Sequence, residues 1–142
     1  MKTKSTVTSI LLFLPIAFNT VFLFVNGVFM LIVPHAWYQF VPGVIDTGFY
    51  NQHFIRDIGI IQMFLGTAFG IGLLRPDARF VLWLVATLWL IAHALLHFWE
   101  VAVGICGPSV LLRDFPAVTL PALIGIVLTL RAWKYRHMPG RI

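Results

Sequence analysis

Residues 80–103 read FVLWLVATLWLIAHALLHFWEVAV, 24 positions carrying one formal charge, Glu100. A helix needs ~20 apolar residues to cross the hydrocarbon core. No water reaches backbone polar groups there, so only helices and closed barrels span it. The run shows no strict alternation, and the helical reading follows. Working outward from Phe80–Val103, three more stretches have the same character: Ile10 to Val33, about Phe54 to Leu74, and Pro116 to about Trp133. The expected fold is an all-α, four-helix transmembrane bundle forming a single integral membrane domain.

Composition agrees. Of 142 residues, 60% are hydrophobic and 11% charged, whereas soluble domains average about 25% charged. Mean hydropathy is +0.93. A soluble enzyme, a disordered chain and a disulfide framework are excluded. Cys106 has no second cysteine in the chain to pair with, and an unpaired thiol is expected. The first apolar stretch follows Lys2 and Lys4 as a signal peptide's would. It runs to Val33 without an A-x-A-like cleavage site, and a retained helix is expected.

The net charge of +5 is a topology signal. Lys2, Lys4, Arg75, Arg79, Arg131, Lys134, Arg136 and Arg141 all fall on one side of the four spans. By the positive-inside rule that side is cytoplasmic, with both termini. Arg56 and Arg113 lie on the opposite, outer side with Asp46, Asp57, Glu100 and Asp114. The partner implied by this charge pattern is the lipid bilayer, with no nucleic acid; other membrane subunits or self-association complete the expected partners. The outer connection from Pro34 to His53 holds Trp37, Tyr38, Phe40, Phe49 and Tyr50, the residues of an interfacial belt. A short interfacial helix is expected there. Gly104 to Phe115 reads as a turn-rich outer link, and Arg75 to Arg79 as a tight inner turn. Gly59, Gly66 and Gly70 mark a close helix contact, and Pro15 and Pro121 are expected to kink their helices.

Intramembrane titratable groups are the candidates for function, because each costs ~2.5–3.5 kcal/mol on insertion scales. His93, His97 and Glu100 share one stripe of roughly 60° on the third span, climbing about 10 Å. His53, Arg56 and Asp57 open the second span at a matching depth, and Asn26 lies in the outer half of the first. Three readings stay open. One is a structural staple, with Arg56 pairing Glu100 or Asp57. Another is a metal site: His93 and His97 at i and i+4 with Asp57 or Glu100 suit copper, zinc or non-haem iron. The third is an outward pocket for a small ligand, a quinone headgroup or protons. No nucleophile motif or phosphate loop occurs, so hydrolase and nucleotide chemistry have no support. Four helices leave little room for a transport pathway.

The segment Pro42-Gly43-Val44, the stretch TGFYNQHFIRDIG at 47–59 and His93-x3-His97-x2-Glu100 together resemble uncharacterised bacterial four-helix inner-membrane proteins, broadly DoxX-like in size and topology. Phe49 stands where such segments carry proline after Thr-Gly. The resemblance implies an accessory or interaction subunit linked to envelope redox chemistry, and it supplies no catalytic residues. The expected function is therefore an accessory or metal/small-ligand-binding subunit. The alternative is a purely structural or assembly subunit of a larger membrane complex.

Overall fold

The computed structural model describes the backbone of residues 2–136 and the side chains of residues 12–136. The side chains of Lys2, Lys4 and Arg141, used above in the charge argument, lie outside the described residues. The elements run in the order α1 (Lys2–Ile32), α2 (Pro34–Phe40), a 3-10 turn (Val44–Asp46), α3 (Gln52–Leu74), α4 (Arg79–Ala102), α5 (Ser109–Asp114), a π turn (Phe115–Thr119) and α6 (Leu120–Tyr135). Four stretches are long and apolar enough to cross a membrane: Leu12–Ile32, Gln52–Leu74, Arg79–Ala102 and Ser109–Tyr135. Among the described residues there is no strand. The expected all-α four-helix bundle is what forms.

Helix α1 packs most closely along α3, α3 meets α4, α4 meets α6, and α6 closes back onto α1. The α1–α3 seam is close because glycines face each other across it. A Cβ on Gly27 would stand 2.5 Å from the Gly59 carbonyl oxygen, and one on Gly66 2.6 Å from the Phe24 nitrogen. Small residues that let backbones approach are the usual basis of helix association in lipid. The centre is filled by Ile16, Leu23, Phe69, Trp83, Leu90 and Leu128, all buried. Large apolar side chains such as Phe64, Val85 and Leu130 point outward, as a bundle solvated by acyl chains permits.

Polar groups inside the bundle are matched between helices. Asn19 Nδ2 donates to the Pro121 carbonyl (3.0 Å), and Thr87 and Thr129 share a hydroxyl hydrogen bond (3.0 Å). Trp83 Nε1 donates to the Phe69 carbonyl at 3.1 Å, its indole lying over Gly72. The turn between α3 and α4 is built by its own charges. Arg79 donates from Nε to Gly72 O (2.7 Å) and from Nη2 to Leu73 O (3.1 Å), satisfying carbonyls at the end of α3. Arg75 pairs with Asp77 through two hydrogen bonds, which hold the Asp77 carboxyl below its usual value and raise that of Arg75.

Two expectations need correction. The fourth span begins at Ser109, not at Pro116, so the turn-rich link shortens to the residues after α4 and before Ser109. Pro116 does not start the helix. Pro116 and Pro121 lack amide protons, and the chain widens into the π turn, where the Leu120 N–H reaches back to the Phe115 carbonyl. Helical structure therefore continues through both prolines and carries Asp114 into the span. The short helix expected in the first connection is α2, opened by Pro34 at its first position.

Candidate functional site

At the end of the bundle opposite the Arg75–Arg79 turn, α4 presents the two histidines on one face, as i and i+4 spacing dictates. Their rings meet edge to face, centroids 4.8 Å apart. His93 also stacks on Trp89, centroids 5.0 Å apart and planes within 19°. Both histidines are half-buried. His97 Nδ1 lies 3.2 Å from Asp114 Oδ2, an ion-pair contact off the line of a hydrogen bond. Neither imidazole hydrogen-bonds to another described residue.

Asp114 is held from its other side. Arg113 Nε donates to Asp114 Oδ1 at 2.8 Å, and Arg113 Nη1 stands 4.0 Å from Asp46 Oδ2. The guanidinium occupies the space where Gly43 has no side chain; a Cβ there would run into it. Gly43 also has φ +80, a conformation that L side chains rarely adopt. One glycine therefore serves both the turn and the seat for Arg113. The result is a chain of groups, Trp89–His93–His97–Asp114–Arg113–Asp46, running from α4 through α5 to the first connecting loop. Nearest-neighbour charges alternate along Asp114, Arg113 and Asp46, which offsets the cost of keeping Asp114 largely out of water.

The remaining sequence candidates go elsewhere. Asp57 pairs with His53 at 3.3 Å on an exposed face of α3, the two side chains 53% and 89% accessible. Arg56 pairs with neither Asp57 nor Glu100; its Nε donates to the Leu31 carbonyl (3.1 Å) at the end of α1, where a cation also meets the helix dipole favourably. Glu100 is half-buried. Its carbonyl accepts the N–H groups of Ile105 and Cys106, while its carboxylate makes no hydrogen bond or ion pair with a described residue. Asn26 belongs to a separate network: its Nδ2 donates to Gln62 Oε1 (2.8 Å), and its Oδ1 accepts from Trp37 Nε1 (2.9 Å). That network fastens α2 across α1 and α3. Cys106 is a half-buried free thiol in the turn after α4.

The four-residue metal set His93, His97, Asp57 and Glu100 therefore does not assemble. Among the described residues no group of three or more His, Cys, Asp or Glu side chains is placed to share an ion. The physical reason is rotational: Asp57 lies on an exposed face of α3, paired with His53. Copper, zinc or non-haem iron would find two imidazoles from one helix here, short of the usual set of three or four ligands. The sequence reading missed Asp114 as the partner of His97. The signal was available in the adjacent Arg113-Asp114 pair, hidden by starting the fourth span two residues too late to include it.

What the site offers chemically is the His93 ring nitrogens and His97 Nε2, without a hydrogen-bond partner among the described residues and able to donate or accept, a carboxylate against His97 Nδ1, and the Trp89 ring stacked beside His93. Comparison of this chain with protein-family models, curated proteins and solved structures finds no match to any of them.

Proposed function

We propose that this multi-pass membrane protein binds the hydrogen-bonding head of a small lipophilic molecule of the quinone class at His93 and His97. It would do so as an accessory subunit in bacterial envelope redox chemistry. One observation carries the reading: on one face of α4 the half-buried His93 imidazole and His97 Nε2 make no hydrogen bond to a described residue, while Asp114 stands against His97 Nδ1 from behind. A carbonyl or hydroxyl ligand head is the complement of such a pair, and Trp89 supplies a flat apolar surface beside it. The resemblance to DoxX-like proteins supports the accessory role. The charge asymmetry supports a cytoplasmic-membrane location with both termini inside and the histidine end facing outward.

The test is titration of the purified full chain in uncharged detergent with a short-chain benzoquinone, read by quenching of tryptophan fluorescence. Saturable quenching is expected, weakened about tenfold in His93→Ala and His97→Ala, the loss of roughly one hydrogen bond. Unfolding midpoints of the two variants should stay near that of the parent. Absence of saturable quenching in the parent, or equal affinity in all three proteins, overturns the ligand reading. The Arg113 contacts to Asp46 and Asp114 favour a second reading, a structural or assembly subunit. On that reading the histidine variants lose stability or a co-purifying subunit and leave quinone quenching unchanged.

A further inference from the structure

The connection between α1 and α3 lies lower than a loop resting on top of the bundle would. Arg56 Nε reaches the Leu31 carbonyl, which sets the end of α1 level with Arg56, whereas α3 starts at Gln52. The first turn of α3, about 6 Å long at 1.5 Å per residue, therefore rises past α1. That turn belongs to a membrane-spanning stretch of 23 residues, roughly 35 Å against a hydrocarbon core of about 30 Å, so it stands at headgroup depth. Helix α2 fills the step. It packs on both α1 and α3; Trp37 reaches down to Asn26, and the Phe40 ring meets Phe29 with centroids 6.1 Å apart.

Beyond α2 the chain is turned inside out relative to a loop in water. Its hydrogen bonds are made within it: the N–H groups of Val44, Asp46 and Thr47 reach the carbonyls of Val41, Gly43 and Val44. The Thr47 hydroxyl donates to Val44 O and the Tyr38 hydroxyl to Gly48 O, both at 2.8 Å. Apolar side chains take the outside. Phe40 and Ile45 are exposed and Phe49 is wholly so, while no atom beyond its chain neighbours lies within 4 Å of a Cβ added at Gly48. From Pro34 to Gln52 the single Asp, Glu, Lys or Arg is Asp46, and it stands 4.0 Å from Arg113. A segment in contact with lipid needs its backbone satisfied from within and its apolar side chains outward. Aromatic rings are favoured at headgroup level.

We propose that residues 40–50 form a wedge inserted into the bilayer leaflet at the histidine end, with Phe40, Ile45 and Phe49 seated among the lipid headgroups and upper acyl chains. The lipid surface is the occupant because the tip sits where α3 enters the bilayer and runs on into the exposed apolar side of that helix at Phe54. A water-soluble partner would have to reach the tip at that depth. The wedge also fixes the height of Gly43, against which the Arg113 guanidinium packs.

The experiment places a reporter at the tip, Phe49→Trp, in the full chain reconstituted into phosphatidylcholine vesicles. Its fluorescence is read as the difference from the parent protein, whose own tryptophans supply the background. The added emission should be blue-shifted from that of an indole in water. It should lose intensity when the lipid carries bromine on its upper acyl chains, and resist iodide supplied on both sides of the membrane. Adding Ile45→Ser weakens the anchor, so the emission should move to the red and iodide quenching should rise. Emission at the position of an indole in water, open to iodide, overturns the proposal and leaves the tip free for a water-soluble partner. A blue shift without bromine quenching also overturns it, since protein, such as a second copy of the chain, would then cover the tip.

Discussion

Replacing Gly27 with alanine probes the tightest contact in the bundle. The added Cβ would lie 2.5 Å from the Gly59 carbonyl oxygen and 2.8 Å from the Met63 nitrogen, both backbone atoms of α3. Ordinary contact begins at 3.4 Å, so α1 and α3 must part locally by roughly 0.9 Å. A gap of that size forfeits about a quarter to a half of the dispersion well for every atom pair along it. Overpacking of well-packed sites costs about 1–3 kcal/mol, and we expect about 2 kcal/mol for Gly27→Ala, because the obstructing atoms are backbone and cannot rotate away. The assay is unfolding of the full chain in mixed micelles with increasing dodecyl sulfate, followed by far-ultraviolet circular dichroism. Gly59→Ala opens the same seam, its Cβ meeting Met30 Cβ at 2.8 Å and Gly27 O at 2.9 Å. Once one methyl has separated the helices the second fits more easily, so the double variant should cost about 1 kcal/mol less than the two single costs added. Gly107→Ala is the control: the nearest side-chain atom to its Cβ is 3.9 Å away, and its effect should stay within about 0.5 kcal/mol. A Gly27→Ala protein as stable as the Gly107→Ala control, or a strictly additive double variant, would refute the close-approach argument.

Three further outcomes are expected. Trp83→Phe removes the donor to the buried Phe69 carbonyl and should lower stability by about 1–2 kcal/mol; adding Gly72→Ala, whose Cβ otherwise meets the indole, should recover part of that in the same micelle titration. Gly43→Ala forces an L residue into φ +80 and displaces Arg113, a cost of about 1–2 kcal/mol; hydrogen exchange should quicken in the 43–47 turn and stay unchanged at the Arg75–Arg79 turn. Asp77 titrates below its ordinary value of 3.8 because Arg75 hydrogen-bonds its carboxylate. The pair's contribution is therefore complete above the unfolded value and fades as pH falls through the lowered one. Carboxyl NMR should show Asp77 rising toward its ordinary value in Arg75→Gln, the backbone N–H groups of Asp77 and Ala78 keeping part of the lowering, with little change in stability for so exposed a pair.

Much of the candidate site was legible because it depends on one helix. The i, i+4 spacing alone places His93 and His97 side by side, and the structure brings their rings to 4.8 Å. The expected company of Asp57 and Glu100 was not legible. Depth in the membrane follows from counting residues, but the direction a side chain faces depends on the rotation of its helix about its axis. For α3 that rotation is set by the glycine seam with α1, which turns Ile55, Gly59 and Gly66 inward. Asp57 then falls on the exposed side, next to His53. Arg56 likewise finds the Leu31 carbonyl, a contact that exists only because α1 ends beside the start of α3.

The amino-acid sequence by itself determined the number of spanning helices, the approximate limits of the first three and the separation of charge along the chain. These follow from local sums of apolar residues and from where Lys and Arg stand, and neither needs to know which helix touches which. Only the tertiary structure decided the partner of His97. The π turn at Phe115–Thr119 carries the helix past two prolines and extends the last span back to Ser109, which brings the Asp114 carboxylate to 3.2 Å from the imidazole. The Gly43 seat for Arg113 is likewise tertiary, because it pairs a backbone conformation in one loop with a side chain 70 residues away. Contacts of that kind depend on the packing of whole elements, and no local pattern of residues encodes them.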